Sequence, residues 1–429
     1  MKRPIFFLFA ILISATALNS QSALELRLYE LPDVIFKPIE TPEGFETAYE
    51  LKVKQPLDHK HPEKGYFYQR VYLSHAGFDQ PNVLITEGYN RPSNRIYELT
   101  DLLDANQIEV EHRYFGASVP QPLDYTYLRL EQVASDLHHV RELLGQIYDE
   151  EWVATGISKG GQTTIFYRYF YPEDVSVSVP YVAPLNLDFE DKRIYDFLRN
   201  VGTDECRKDI YDLQVRLLKN RDKVLPLLRW HAKGTGATFD YLGFETAFEY
   251  GVLEYPFSFW QLGHDCATIP GKDADLEAVI DHFIAVAGMD LFNDQSMTDY
   301  ASHYYQAGTE MGYYGYETEP FKGLLKAVPA KPHAVFMPNK KTAPFDPTLV
   351  RNVSDWLKKN GNNFIYIYGA VDTWSATGVP PSDKTNSVWF MMDGKDHRTA
   401  RIVNMTASER KLFIDTMEKW LKRDIDRGR

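Results

Sequence analysis

Cysteine is nearly absent from this 429-residue chain, with only Cys206 and Cys266 present, so no disulfide framework substitutes for a packed core. Neither Cys-x-x-Cys nor His-Glu-x-x-His occurs, and nothing in the pattern calls for a metal or any other cofactor. Basic residues are in deficit: 47 Lys and Arg against 60 Asp and Glu leave a net charge of −13. That balance argues against nucleic-acid binding, which needs a basic stripe to displace phosphate counterions. Long apolar runs are also missing. Past the N-terminus no stretch is long enough to span a bilayer.

What is present is a chain able to bury a large core, with 44% hydrophobic and 14% aromatic residues. Met1-Lys2-Arg3, the short apolar run from Ile5 to Ile13 and Ala15-Thr16-Ala17 form a basic, apolar and small-residue succession. It reads as a secretory signal over residues 1–20, which implies a secreted or periplasmic protein. In an oxidising compartment Cys206 and Cys266 can form one disulfide; free thiols are the alternative.

The segment that organises the rest is Gly156-Ile157-Ser158-Lys159-Gly160-Gly161, set between the apolar Trp152-Val153-Ala154-Thr155 and a helical stretch from Gln162 to Tyr171. Gly-x-Ser-x-Gly between a strand and a helix is the nucleophile elbow, which makes Ser158 the candidate nucleophile. Ala48 to Lys54 and Gly65 to Ser74 read as an antiparallel hairpin around a Pro- and His-containing loop, where His59 and His61 are expected to be solvated. Asn82 to Thr86, Gln107 to Val110 and Val175 to Ala183 read as further strands, with a crossover helix over Leu130 to Tyr148. His138 and His139 on that helix are expected to be solvated or near its cap. Strands alternating with helices predict an α/β fold with a mostly parallel sheet covered on both faces.

From Asp188 to Pro347 the strand rhythm gives way to helical patterns, such as Asp209 to Leu228 and Leu276 to Ala287, and to aromatic clusters. The expected organisation is a first core part over 21–187, a helical cap over 188–347 and a second core part over 348–429. The sheet resumes at Asn363 to Tyr368, followed by Asp372, and a last strand, Ser387 to Met391, leads to His397 and a C-terminal helix from Ser408 to Lys422. Ser158, Asp372 and His397 thus follow the serine, acid, histidine order of the α/β-hydrolase fold. In that chemistry His397 takes the serine proton and Asp372 orients the imidazole. The oxyanion hole is expected from backbone N–H groups of Lys159 and of Gly88 or Tyr89. His112 precedes the serine, against the required order, and is not expected to be catalytic; neighbouring Glu111 and Arg113 are expected to pair with each other. His264-Asp265 is likewise set aside.

Several motifs together resemble a known family. Val53-Lys54-Gln55-Pro56-Leu57-Asp58-His59, Glu111-His112-Arg113-Tyr114-Phe115-Gly116 and Gly369-x-x-Asp372-x-Trp374-Ser375 resemble the serine peptidases that include lysosomal prolyl carboxypeptidase and dipeptidyl peptidase II. Thr155 to Gly161 and Phe170 to Val175 are more similar to the bacterial secreted tripeptidyl aminopeptidases. The resemblance implies an α/β-hydrolase exopeptidase acting on peptides beside proline, with Ser158, Asp372 and His397 as its triad. Lys159 departs from the dipeptidyl peptidase pattern, which carries an aromatic residue there. An aminopeptidase needs a carboxylate for the substrate ammonium, for which Glu87 is the candidate. Carboxypeptidase action would instead need a cation, Arg91 or Lys159. An esterase using the same triad and an inactive binding protein are the remaining alternatives.

Overall fold

The computed structural model describes residues 22–329, 336–340 and 344–426; the segment read as a signal peptide lies outside them. Nine strands form one sheet: β1 (Val34–Pro38), β2 (Thr47–Pro56), β3 (Tyr66–His75), β4 (Asn82–Thr86), β5 (Asn106–Val110), β6 (Trp152–Ile157), β7 (Val177–Tyr181), β8 (Ile365–Gly369) and β9 (Val388–Met392). Their spatial order is β1-β2-β3-β5-β4-β6-β7-β8-β9. The edge from β1 to β3, and the pairing of β3 with β5, is antiparallel. Every pairing from β5 to β9 is parallel. All five residues of β4 are buried, as expected of a strand enclosed on both faces.

Before the elbow lie α1 (Ala23–Glu30), α2 (Glu98–Leu103) and α3 (Leu130–Leu144), and α4 (Lys159–Phe170) follows it. Leu137, Val140 and Leu144 of α3 pack with Leu84, Ile108 and Ala154 in one cluster. Phe413, Ile414 and Met417, from a C-terminal helix over Ala407–Leu421, pack with Val153, Val179 and Ile367 in another. Successive residues of one strand, Val153 and Ala154, therefore enter different cores, so the sheet is covered on both faces. Strand order, parallel centre and double covering make this an α/β-hydrolase fold.

Between β7 and β8 run α5 (Arg193–Asn200), α6 (Asp204–Lys219), α7 (Arg221–Thr235), α8 (Phe244–Gln261), α9 (Leu276–Val286), α10 (Asp294–Asp299) and α11 (Ala301–Gln306), and α12 (Thr348–Asn360) leads back to the sheet. They enclose a core of their own around Phe248, Tyr250, Phe259 and Phe283. Helix α8 is buried almost all round, so its face toward the sheet carries few exposed side chains. Cys206 on α6 is joined by a disulfide to Cys266, just beyond α8, with Cα atoms 5.5 Å apart. Glu310 ties this segment to the start of α3, accepting from the Leu130 N–H at 2.5 Å and from Arg129 Nε at 2.9 Å. No helix among the described residues is long and apolar enough to cross a membrane.

Three local expectations need correcting. The helical pattern from Asp209 to Leu228 is two helices, because the chain leaves helical geometry at Asn220, which caps α6 and opens α7. Glu111 and Arg113 do not pair. Arg113 forms a buried bidentate pair with Asp136, at 2.6 and 2.7 Å, while Glu111 accepts from the Ser118 hydroxyl and from the N–H groups of Arg91 and Ala117. Side chains one apart on either side of His112 had their partners elsewhere in space. His59 and His138 are also less solvated than expected, whereas His61 is exposed: His59 Nε2 lies 2.8 Å from Asp136 Oδ1, and His138 bonds Asp174 at 2.7 Å while stacking on Tyr171. Burial alone would raise the Asp136 pKa, but Arg113 and His59 outweigh it and hold the carboxyl below its usual range.

Candidate active site

Strand β6 delivers Ser158 at its C-terminal end with φ 60° and ψ −123°, and α4 starts at the next residue. That backbone is unfavourable for a residue with a Cβ and is held by its surroundings. The Ser158 N–H donates to the Tyr181 carbonyl at 2.9 Å, and the Thr86 hydroxyl donates to the Gly160 carbonyl at 2.8 Å. The turn is so tight that a Cβ on Gly156 would lie 2.4 Å from the Gly160 carbonyl, and one on Gly160 would lie 2.6 Å from the Thr86 oxygen. Only glycine fits either place.

Asp372 and His397 come from the loops after β8 and β9, at the same edge of the parallel sheet as Ser158. Asp372 is fully buried. It faces His397 Nδ1 at 3.0 and 3.1 Å, and accepts from the Ser375 hydroxyl at 2.7 Å and the Trp374 N–H at 3.2 Å. A carboxylate fixed this way at Nδ1 holds the ring and leaves Nε2 as the proton acceptor. The His397 N–H donates to the Gln261 carbonyl at 3.1 Å, which sets the histidine against the end of α8. The Ser158 hydroxyl makes no hydrogen bond among the described residues.

Ser158, Tyr89, Lys159 and Gln162 line one side of a cavity of about 240 Å³. Phe257, Tyr313, Tyr314 and Trp374 form an aromatic wall, and Glu254 lies among them. Glu254 is 1% exposed and accepts from the hydroxyls of Tyr314 and Tyr316, each at 2.7 Å, and of Ser258 at 3.1 Å. Burial drives its pKa up to about 7, and the three hydroxyls hold it from going higher. Three more buried polar atoms on the lining, Gln162 Nε2, Asn186 Oδ1 and His303 Nδ1, have no hydrogen-bond partner among the described residues. A larger hollow, about 400 Å³, lies by Leu103 and Arg423 and includes none of the residues singled out from the sequence.

The N–H groups of Gly88, Tyr89 and Lys159 donate no hydrogen bond among the described residues. A Cβ on Gly88 would lie 2.7 Å from both the Gly160 nitrogen and Lys159 Cβ, so the β4 loop is pressed onto the elbow. Glu87 is not on the cavity lining. It accepts from Tyr97 and from Arg91, the latter at 2.5 Å, and Arg91 also pairs with Glu109 at 2.8 Å. Burial, then the charge of Glu87, pushes the Glu109 carboxyl well above its ordinary range, while Arg91 pulls it back. Both Glu87 and Arg91 are thereby committed to each other. Glu254 was not singled out from the sequence; its only signal there is a lone carboxylate inside the aromatic run Tyr250 to Trp260.

Residues 23–405 match the PS-10 peptidase S37 family. A prolyl tri/tetrapeptidyl aminopeptidase of Streptomyces mobaraensis is 32% identical over 417 residues, covering 95% of this chain and 87% of that protein. A serine protease, vicPb, of Bipolaris victoriae is 38% identical over 104 residues, about a fifth of either chain. Among solved structures, a proline iminopeptidase of Mycobacterium smegmatis superposes with a TM-score of 0.43 at 12% identity, covering 86% of this chain and 99% of that one. That last likeness is too distant to bear on the reaction. Matched along nearly its whole described length, the chain belongs to the PS-10 peptidase S37 family and is a serine-type peptidase.

Proposed function

We propose that the protein is an exported serine aminopeptidase that removes short peptides from a free N-terminus, with proline favoured at the cut. Ser158 attacks the scissile carbonyl, His397 moves the proton from the hydroxyl to the leaving amine, and Asp372 orients and stabilises the imidazolium. The Asp372 to His397 contact and the strained elbow support these roles, although Ser158 and His397 must close on each other when substrate binds.

The observation that carries the choice of terminus is Glu254, a carboxylate in the wall of the nucleophile's cavity. An α-ammonium entering that cavity meets an anion; of the two cations that could receive a terminal carboxylate, Arg91 is held by Glu87 and Glu109, and Lys159 Nζ is engaged by the Gly88 carbonyl and His112. The unpartnered atoms of Gln162, Asn186 and His303 suit the N–H and C=O groups of a peptide, because buried polar atoms are otherwise rarely left unpaired. The aromatic wall suits the pyrrolidine of proline, an apolar ring with no N–H to satisfy. The helical segment 188–347 acts as a cap, supplying Glu254 and most of that wall. Export is supported by the N-terminal basic and apolar pattern and by the Cys206 to Cys266 bridge.

The test is turnover of chromogenic di-, tri- and tetrapeptides ending in proline, free and N-acetylated, beside carboxypeptidase substrates and a short-chain ester, by the mature protein and by Ser158→Ala. Cleavage of free tri- or tetrapeptides, lost on acetylation and in the variant, is expected. Serine-dependent cleavage of the ester alone would reject the peptidase assignment for this site.

A further inference from the structure

Lys159 is the residue after the nucleophile, and its side chain does something its backbone role does not require. The Nζ atom donates to the Gly88 carbonyl at 2.8 Å and lies 3.0 Å from His112 Nε2. The other ring nitrogen, His112 Nδ1, sits 2.7 Å from the Arg113 carbonyl, which can only accept. Nδ1 therefore carries the proton and Nε2 accepts from Lys159. The faces of Tyr89 and Phe115 cover the amine at 5.5 and 5.3 Å, and no carboxylate pairs with it among the described residues. Burial pushes the Lys159 amine well below its ordinary range and that of His112 likewise. The amine thus finds two acceptors, the Gly88 carbonyl and His112 Nε2, with no carboxylate counter-ion among the described residues.

The consequence lies in the peptide that joins Gly88 to Tyr89. A trans peptide is planar with its C=O and N–H opposed. Holding the Gly88 oxygen toward Nζ therefore turns the Tyr89 N–H the opposite way, and Tyr89 is the loop residue that lines the Ser158 cavity.

We propose that the Lys159 side chain is a positioning residue that clasps the Gly88 carbonyl, so that the Tyr89 N–H, together with Lys159's own N–H, forms the oxyanion hole. One residue then sets both donors: its main chain supplies one, and its side chain aims the other across the gap between β4 and α4. His112 completes the clasp by accepting a second hydrogen bond from the amine at Nε2. The inference rests on acyl transfer at Ser158, as proposed above, but not on which substrate is cleaved.

The experiment compares wild type, Lys159→Met and Lys159→Gln on whichever substrate of the panel shows turnover that Ser158→Ala abolishes. Ground-state affinity is measured separately by binding the same substrate to Ser158→Ala and to the Ser158→Ala, Lys159→Met double variant. Losing one oxyanion donor costs about 10²–10³ in rate, so Lys159→Met is expected to lower kcat by about 30-fold or more, with the two Kd values within threefold. Lys159→Gln keeps an amide donor on a shorter stem and is expected to recover part of the loss; it is read in the same way if the Met variant lacks the wild-type melting transition. A kcat within threefold of wild type in a folded variant, or a loss appearing equally in Kd, overturns the clasp. If wild type hydrolyses only the ester, the aminopeptidase reading fails while the Lys159 comparison is still read on that ester. Absence of any Ser158-dependent turnover overturns both.

Discussion

Glu254→Gln separates a substrate-reading carboxylate from a merely structural one, because the two roles predict opposite signs for activity and stability. The replacement is nearly isosteric. The amide oxygen can take the two tyrosine hydroxyls now on one carboxylate oxygen, and the amide N–H can donate to Ser258. What disappears is the charge. Breaking a buried, hydrogen-bonded charge pair typically costs 2–5 kcal/mol, so kcat/KM on a free-N-terminal peptide is expected to fall by about 30-fold to several thousand-fold. N-acetylated peptides, already poor, should be affected little. Stability should move the other way. The pKa of Glu254 is raised from 4.5 to about 7 in the fold, so folding favours its protonated form: that contribution is fully present below about pH 4.5 and is lost as pH rises toward 7. At pH 8 the ionised side chain costs on the order of 3 kcal/mol that glutamine does not incur. The variant should therefore melt higher than wild type at pH 8 and about equally at pH 4.5. In wild type, kcat/KM should rise through about pH 7 as Glu254 ionises, a limb missing from the variant. Unchanged kcat/KM on the free peptide, or a melting point lowered at both pH values, would refute the assignment.

Other perturbations test the rest of the structure. Asp372→Asn should leave His397 in the wrong tautomer and lower kcat by on the order of 10⁴, measured on the same peptide with the melting transition as control. Reducing the bridge between Cys206 and Cys266, 60 residues apart, should cost up to about 4 kcal/mol by loop-closure entropy, read as a lowered denaturation midpoint with reductant. Asp136→Asn leaves Arg113 buried with its charge uncompensated and should cost about 3–5 kcal/mol; a midpoint within about 0.5 kcal/mol of wild type would show that the carbonyls of Pro56, Leu57 and Tyr127 suffice for the guanidinium.

The parallel strands were legible because their physics is local. Asn82 to Thr86 is buried on both faces and so is apolar without alternation, and the elbow announces itself through glycines that no other residue can replace. The split of α6 from α7 was not legible, since Asn220 interrupts the backbone without interrupting the apolar spacing. Short β1 was missed for the opposite reason: at the sheet edge its side chains are half or fully exposed, and it carries no burial pattern. Side-chain partnerships were the least readable layer. Glu87 sits at the start of the loop after β4, next to the expected oxyanion donors, yet Arg91, four residues on, claims it. Glu254 gains its setting in the cavity wall only when Tyr314 and Tyr316, some sixty positions later, close on it, and no spacing rule connects them. Gln162, Asn186 and His303 likewise meet only in the folded cavity.

Helix α8 has one more consequence. Under the proposed reading it is a graduated rule laid against the substrate: the nucleophile marks one end and the carboxylate on the helix marks the other, so the gap between them counts residues. A helix advances about 1.5 Å per residue and an extended peptide about 3.3 Å. Sliding the acid by one turn, from position 254 to position 258, would therefore shift it by about 6 Å, at most nearly two residues of extended peptide. Under that reading, product length is set by which rung of α8 bears the charge, with the sheet, the elbow and the triad left as they are.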